Sequence, residues 1–310
     1  MELSIVTTLY YSQQYIEEFY SRIKKQAEMI TENFEIIFVN DGSPDNSLNI
    51  VLSLQEKDDR IIIIDLSRNF GHHKAIMAGL SHSSGEKIFL IDIDLEEEPE
   101  LLGVFNNILN EGNRDVVYGV QTKRKGGLIE RITGDIFYRI INLISNTNIP
   151  KNFVTARIMN KKFVKSLLLY QEREIFLGGL WSLTGFNQFP YKICKHSSGK
   201  TTYKFFKRVN LMVNAITSLI NRPLIYIFNI GALISFLSVV YSIYLAIRKI
   251  FFAIPIEGWT SLIVSLWFLG GVIILFNGII GFYLSKIFIE VKQRPNVIIK
   301  DIFRSGHYEK

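Results

Sequence analysis

The chain has 310 residues, of which 48% are hydrophobic and only 21% are charged, which excludes a disordered or acidic solvating chain. Lys and Arg number 35 against 29 Asp and Glu, and the resulting net charge of +6 suits nucleic acid, anionic lipid or an anionic small molecule, without choosing among them. A mean hydropathy of +0.19 is higher than a soluble enzyme needs, so we expect a folded chain with a membrane component.

Residues 1–200 alternate strand-like runs with amphipathic stretches. The runs rich in Ile, Val, Phe and Leu are Glu2–Tyr10, Phe34–Val39, Arg60–Ser67, Lys87–Asp92 and Asp115–Thr122. Helical periodicity fills Gln14–Thr31 and Pro99–Gly112 between them. This order predicts an α/β domain with a doubly wound, mostly parallel sheet that helices cover on both faces. Ligands of such sheets bind at the carboxyl ends of the strands.

Two uncharged stretches, 224–247 and 259–284, predict a transmembrane hairpin. At about 1.5 Å per residue each is long enough to cross a hydrocarbon core of about 30 Å. Cations lie before the first stretch and after the second, so we expect both termini in the cytosol. The single cysteine, Cys194, excludes an intramolecular disulfide and fits that reducing compartment.

The predicted organisation therefore has six parts: a cytosolic domain (1–200), an amphipathic interfacial helix (201–223), a first span (224–247), an external link (248–258), a second span (259–284) and a basic cytosolic tail (285–310). Asn229, Asn277 and four glycines within the spans favour close helix packing, including packing between copies in a homo-oligomer.

The strongest local motif is Asp92-Ile93-Asp94, where a buried strand ends. Side chains at i and i+2 of a strand share a face, so Asp92 and Asp94 can both bind one hard divalent cation. Mg²⁺ or Mn²⁺ there would take up the charge of a departing diphosphate. The motif predicts a metal and donor site.

Polar loops also follow the second and third strands. Asp41 is placed to accept from the base or ribose of a nucleotide, and Asp45 to cap the next helix. Arg68 precedes a glycine loop at a helix start, where backbone amides can bind phosphate. We interpret His72 and His73 as ordinary loop residues rather than metal ligands.

Three motifs have the order and spacing of family-2 glycosyltransferases with a GT-A fold: Asn40-Asp41-Gly42-Ser43, the Arg68-Asn69-Phe70-Gly71 loop running on to Ala75 and Gly79, and Asp92-Ile93-Asp94-Leu95. More narrowly, the chain resembles the polyisoprenyl-phosphate glycosyltransferases. That group includes dolichol-phosphate mannose synthase and bacterial enzymes that attach a sugar to undecaprenyl phosphate. The likeness continues through Arg157-Ile158-Met159, Gly185-Phe186 and Pro223-Leu224 to Glu290–Pro295, so it covers nearly the whole chain.

This resemblance implies an inverting transfer from a nucleotide-sugar to a polyisoprenyl phosphate at the bacterial plasma membrane, for cell-envelope glycan modification. It implies that Asp92 and Asp94 bind the metal and diphosphate, that Asp41 contacts the nucleoside and that Arg68 lies near the donor. Thr7–Tyr10, with Thr8 and Tyr10, would flank the base.

The chain departs from the family pattern at three positions: Asn40 replaces a usual Asp, Glu96 a usual Gln, and Thr155 an Asp two residues before the Arg. The position of Thr155 holds a candidate catalytic carboxylate in relatives, so the resemblance supplies no general base here. A phosphate monoester is largely a dianion at neutral pH and needs none, because its second pKa is about 6. Cations must hold this acceptor instead, and we expect Arg157 and Lys200 to do so, with Arg131 and Arg124 behind them.

Other functions fit less well. A nucleotide-dependent dehydrogenase needs a glycine-rich turn after its first strand, whereas Val6–Tyr11 has no glycine, and a P-loop kinase motif is also missing there. Positive charge collects around the membrane segments, which argues against nucleic-acid binding. A non-catalytic module that binds a sugar nucleotide or carries a lipid stays open because of Thr155, although Asp92 and Asp94 argue against it.

Overall fold

A computed structural model of the chain describes residues 1–122, 152–194, scattered positions from 227 to 247, 258–304 and 307–309. The chain divides into two units, the first formed by Met1–Met212 with Arg294–Lys310 and the second by Val213–Gln293. The first unit therefore takes residues from both ends of the chain.

The first five described strands lie close to the five predicted runs, and the other four were not predicted. They are β1 (Leu3–Leu9), β2 (Phe34–Asn40), β3 (Ile61–Leu66), β4 (Lys87–Leu90), β5 (Val116–Gln121), β6 (Phe153–Asn160), β7 (Gln188–Ile193), β8 (Ile299–Arg304) and β9 (His307–Glu309). The described helices are α1 (Ile16–Glu28), α2 (Ser47–Gln55), α3 (His72–Ser81), α4 (Leu101–Asn110), α5 (Lys161–Leu167), α6 (Leu177–Leu183) and α7 (Trp259–Val291).

The strands form one mixed sheet in the order β7-β5-β6-β4-β1-β2-β3-β8-β9. Pairing is parallel among β3, β2, β1 and β4, and between β5 and β7. It is antiparallel where β6 meets β4 and β5, and where β8 meets β3 and β9. The sheet is therefore mixed rather than mostly parallel, because the pairs that involve β6 or β8 are antiparallel. Hydrophobic runs identify strands, but they do not fix the direction in which a strand enters the sheet.

Helices cover both faces of the sheet, as predicted. Along β1, Leu3, Ile5 and Leu9 pack with α1 and α4 on one face, while Val6 packs with α3 on the other. This division follows from the two-residue period of a strand. A Cβ on Gly79 of α3 would lie 2.5 Å from Cγ1 of Val6 and 2.9 Å from Cγ2 of Val39. Glycine thus lets α3, whose first turn carries His72, lie directly on β1 and β2.

The last residues of the chain return to the sheet of the first unit. Strand β8 pairs with β3, the Ser67 N–H donates to the Ile298 carbonyl at 2.9 Å, and Nε2 of Gln55 donates to the Phe303 carbonyl at 2.8 Å. The segment 285–310, expected to be a basic tail, thus begins within α7 and ends in β8 and β9. Strand β8 joins the sheet edge through its backbone, and its apolar residues such as Ile302 are partly buried there.

Helix α7 contains one candidate membrane span, Ser265–Val291, by length and composition. The predicted second span, 259–284, lies within this helix. Of the first predicted span, 224–247, the structure describes scattered positions from 227 to 247, and each of them is helical. The two-helix hairpin stays a prediction, as do the interfacial helix at 201–223 and most of the link at 248–258, which lie outside the described part of the chain.

Candidate active site

The carboxyl ends of the four central strands meet at one edge of the sheet. Leu9 of β1 pairs with Asn40 of β2, Asn40 pairs with Asp65 of β3, and Val6 of β1 pairs with Leu90 of β4. This register places six of the predicted site residues at or just after the carboxyl ends of those strands: Thr8, Tyr10, Asp41, Arg68, Asp92 and Asp94.

Asp41 binds the backbone of the loop that follows β3. Its side chain is 2% exposed, and its two carboxylate oxygens accept the N–H groups of Phe70 at 2.7 Å and Gly71 at 3.1 Å. Burial raises the pKa of Asp41, although these two hydrogen bonds act in the opposite direction. Asp41 thus holds the glycine loop in place, a role that the sequence did not indicate. The predicted contact with the nucleoside stays a prediction.

Gly42 allows the loops after β2 and β3 to touch. Its φ of +59° lies in the left-handed region, and a Cβ there would lie 2.5 Å from the backbone of Arg68 and Asn69. Nδ2 of Asn69 also donates to the Asp41 carbonyl at 3.2 Å. The two loops therefore form one surface at the sheet edge.

Exposed side chains stand on this surface. Tyr10 is 48% exposed and meets Tyr11 edge to face, with ring centroids 4.8 Å apart. Arg68 is exposed, and its guanidinium carbon lies 4.4 Å from the centroid of the Phe70 ring. Both Tyr10 and Arg68 are accessible to a ligand at the carboxyl edge.

His72 connects β1 to the loop after β4. Its Nε2 lies 3.3 Å from Oδ1 of Asp92, and its Nδ1 lies 3.0 Å from Oγ1 of Thr8. Burial lowers the pKa of His72, but the hydrogen bond to Asp92 and the negative charges of Asp92, Asp41 and Glu97 outweigh it, so the pKa lies above its ordinary value. The interpretation of His72 as an ordinary loop residue missed this contact with a predicted metal ligand.

The magnesium or manganese site at Asp92 and Asp94 stays a prediction, and the expectation that they share the face of a strand is wrong, because β4 ends at Leu90. Oδ1 of Asp94 accepts the Glu96 N–H at 3.0 Å, and the side chain of Asp92 is 21% exposed. Within the described residues, no group of three His, Cys, Asp or Glu side chains could hold a metal ion. Mg²⁺ commonly uses one or two carboxylates together with waters and substrate phosphates, so these two carboxylates suit it.

Glu97 ties this same loop to the start of β6. It is 1% exposed, and its oxygens accept the Ala156 N–H at 2.7 Å and the Thr155 N–H at 3.3 Å. The contact joins residues 59 positions apart and fixes the backbone on both sides of Thr155. The sequence offers three consecutive glutamates here, and local pattern gives no means to tell which of them reaches β6.

Arg157 is a buried cation rather than a surface group. It is 1% exposed, its Nε and Nη2 donate to the carbonyls of Thr155 at 3.2 Å and Val154 at 3.1 Å, and its guanidinium carbon lies 3.0 Å from the centroid of the Trp181 ring. Burial lowers its pKa to about 9, against the opposing effect of Glu97, so the group is still charged at neutral pH. Its predicted contact with the acceptor phosphate would require the guanidinium to leave Trp181.

A cavity of about 250 Å³ lies beside these groups. Its lining includes three aromatic residues, two histidines, neutral polar groups and one carboxylate: His72, His73, Ile76, Glu97, Gln121, Phe153, Val154, Thr155, Phe176, Gly178 and Trp181. Arg157 contacts the wall from behind, through Val154, Thr155 and Trp181. The other predicted acceptor cations, Lys200, Arg131 and Arg124, lie outside the described residues.

The chain matches the family model for glycosyl transferase family 2 over residues 4–168, which includes β1 to β4 and the carboxyl-edge loops. The chain belongs to this family. The predicted family membership and glycosyltransferase activity are thereby confirmed.

Relatives match this glycosyltransferase over nearly its full length. A Mycobacterium tuberculosis protein named as a glycosyltransferase is 47% identical, over 98% of this chain and 89% of the relative. The bactoprenol glucosyl transferase of Shigella phage SfII is 32% identical, over 99% of this chain and 100% of the relative. Among solved structures, a Pyrobaculum calidifontis mannosyltransferase in complex with GDP-mannose and Mn²⁺ is 16% identical, with a TM-score of 0.47, over 65% of this chain and 58% of that chain.

The contacts of Asp41 generate a prediction for donor binding. In Asp41→Asn, an amide N–H₂ would face one of the two loop N–H groups, so the glycine loop loses an acceptor. We expect the KM for the nucleotide-sugar to rise by about five- to a hundredfold, which corresponds to roughly 1–3 kcal/mol for an unsatisfied buried donor. Steady-state kinetics with varied donor measure this change. Asp301→Asn, an Asp-to-Asn change on β8, is the matched control, and an unchanged KM in Asp41→Asn would contradict the loop-anchoring role.

Proposed function

We propose that this glycosyltransferase moves a sugar from a nucleotide-sugar to a polyisoprenyl phosphate such as undecaprenyl phosphate, in cell-envelope glycan modification. The observation that carries the proposal is the end-to-end match to bactoprenol glucosyl transferases, which spans the apolar C-terminal region as well as the α/β domain. An acceptor with a polyprenyl chain is presented at a bilayer, and the apolar helix α7 suits an enzyme that works there.

The donor would bind along the carboxyl edge of β1 to β4. Thr8, Tyr10 and Asp41 lie where a nucleoside can reach them, and Arg68 lies beside a glycine loop suited to phosphate. Asp92 and Asp94 would hold Mg²⁺ or Mn²⁺, which when bound neutralises charge on the diphosphate. Because Asp92 contacts His72, the loop after β4 and the start of α3 together define the position of those carboxylates.

The reaction proposed is a single displacement with inversion. An oxygen of the lipid phosphate forms a bond to the anomeric carbon as the bond from that carbon to the diphosphate oxygen breaks, and the nucleoside diphosphate leaves. The acceptor dianion has no proton to lose, which suits Thr155 where relatives carry a carboxylate. Lys200, Arg131 and Arg124 remain proposed contacts of the acceptor phosphate. Arg157 would contribute its buried positive charge through the cavity wall and orient Trp181 and Thr155.

The connectivity of the chain supports a membrane hairpin with both ends on one side of the bilayer, and we propose the cytosol as that side. The first unit contains residues on both sides of the second, since β8 pairs with β3. A chain that leaves and rejoins one folded unit must cross a bilayer an even number of times. With Ser265–Val291 as one proposed crossing, residues 213–264 would supply another, and 224–247 is the uncharged stretch available. We propose a multi-pass plasma-membrane protein on this basis, with the glycines and Asn277 of the spans as contacts for a homo-oligomer.

The proposed activity predicts metal-dependent formation of a glycolipid. Purified protein is incubated with undecaprenyl phosphate and a panel of radiolabelled UDP-, GDP- and dTDP-sugars, and lipid-extractable label is counted. We expect one donor to label the lipid, EDTA to abolish the labelling and Mg²⁺ or Mn²⁺ to restore it. Asp94→Asn should lower the rate by at least about a hundredfold, as expected for loss of one charge that stabilises the leaving diphosphate.

Asp301→Asn is again the matched control and should retain the wild-type rate. Full labelling in metal-free buffer would contradict the role of Asp92 and Asp94. Donor binding with no labelled lipid from any donor would instead favour a module that binds sugar nucleotides without turnover.

The hairpin predicts which positions an impermeant thiol reagent reaches in intact cells. With Cys194 replaced by Ser, Glu257→Cys in the link should be labelled from outside. Ser305→Cys, between β8 and β9, should be labelled only after the membrane is permeabilised. Labelling of Ser305→Cys in intact cells would contradict the topology.

A further inference from the structure

The residues that line the cavity near His72 and Thr155 indicate which kind of molecule it can bind. Aromatic surface comes from Phe153, Phe176 and Trp181, and hydrogen-bonding groups come from Gln121 and Thr155. Pockets with apolar walls and a few placed polar groups are typical of small-molecule sites. At about 250 Å³ the cavity suits a single compact ring rather than a whole nucleotide-sugar.

Two other parts of the substrates fit this cavity poorly. A phosphate dianion would need cations, yet within the described residues no Lys or Arg lines the cavity and Glu97 does. An isoprenoid chain would leave the side chains of Gln121 and Thr155 facing hydrocarbon, which is costly for buried polar groups. The wall suits an uncharged molecule with hydroxyl groups and an apolar face.

The position of the cavity indicates what that molecule is attached to. His72 lines the cavity and also contacts Asp92 at 3.3 Å, one of the two carboxylates proposed to bind the diphosphate through a cation. A group in the cavity is therefore next to the diphosphate of the donor. Thr155 lines the same cavity.

We infer that this cavity is the subsite for the transferred sugar, that it accepts a neutral sugar, and that Trp181 is a specificity-determining part of its wall. The inference rests on the proposed function, since it assigns the cavity to the donor. Trp181 is 6% exposed, and one face of its indole is covered by Arg157. Phe153 meets the ring edge to face at 5.7 Å, and a Cβ on Gly178 would collide with the Phe153 ring. These contacts hold the remaining surface of Trp181 in place for the apolar face of a sugar.

The test compares binding of a nucleotide-sugar with binding of its nucleoside diphosphate. Calorimetry gives the affinities of UDP-glucose and UDP, without lipid, for the full-length protein and for Trp181→Leu, Trp181→Phe and Phe176→Leu. If the donor panel selects another nucleotide, its sugar and diphosphate forms replace this pair. We expect Trp181→Leu and Phe176→Leu to lower the ratio of UDP-glucose to UDP affinity by roughly three- to tenfold, as loss of an aromatic contact predicts.

The affinity for UDP should not change in these variants, and Trp181→Phe should stay closer to wild type than Trp181→Leu does. Phe189→Leu, an aromatic substitution on β7 outside the cavity, is the matched control. Thermal unfolding of each variant identifies any that fails to fold. If Trp181→Leu fails to fold, Phe176→Leu tests another aromatic residue of the lining. An unchanged ratio in folded Trp181→Leu and Phe176→Leu, or an equal loss of UDP affinity, would overturn the assignment.

The charge of the sugar is tested with UDP-glucuronate, which carries a carboxylate where UDP-glucose carries a hydroxymethyl group. The positive charge of Arg157 lies behind the wall and is opposed by Glu97 within it, so we expect UDP-glucuronate to bind more weakly than UDP-glucose. Equal binding would overturn the neutral-sugar assignment. Because no acceptor is present, a ratio that falls as expected together with absent lipid labelling would refute the proposed function and leave the sugar subsite standing.

Discussion

The parallel pairing of β3, β2, β1 and β4 is the constraint on which the site depends. It aligns four carboxyl ends at one edge, so that loops from distant parts of the sequence must meet there. Asp41 then binds the loop after β3, and Glu97 binds the start of β6. Each contact pairs a buried carboxylate with backbone N–H groups, which would otherwise be costly to leave without acceptors. The geometry of the site therefore follows from a few long-range hydrogen bonds added to a regular sheet.

Negative charge is concentrated at this edge, and the protein balances it with two kinds of positive charge. His72 lies among Asp92, Asp41 and Glu97, which raise its pKa above the ordinary value despite its burial. Arg157 lies behind the cavity wall, against Trp181, within the field of Glu97 and Asp92. A buried cation such as Arg157 is costly unless its surroundings compensate it. Backbone carbonyls, an aromatic face and nearby carboxylates supply that compensation, and the same cation makes the site less repulsive to an anionic donor.

Much of the site follows from sequence because its parts are local. A carboxylate directly after a hydrophobic run predicts a residue at the sheet edge, and Asp41, Asp92 and Asp94 lie there. The antiparallel entry of β6 and the return of β8 are not visible in a local pattern, since strand periodicity carries no direction. Arg157 presents the same difficulty. Because helices cover both faces of β6, alternation cannot separate inward from outward positions, and a charged residue in that strand became buried rather than accessible. The contacts of His72 and Glu97 depend on partners 20 and 59 positions away, which local spacing does not identify.

The most direct measurement of the central claim is the identity of the products. In a reaction with donor labelled in both the nucleotide and the sugar, the account predicts one nucleoside diphosphate for each sugar that becomes lipid-linked. It also predicts one phosphate between the sugar and the lipid, and an anomeric configuration opposite to that of the donor. Phosphorus NMR of the glycolipid, with chromatography of the released nucleotide, determines the first two features, and proton coupling at the anomeric carbon determines the third. Release of a nucleoside monophosphate, with a diphosphate bridge in the lipid product, would contradict attack at the sugar carbon and with it the mechanism proposed for this edge of the sheet.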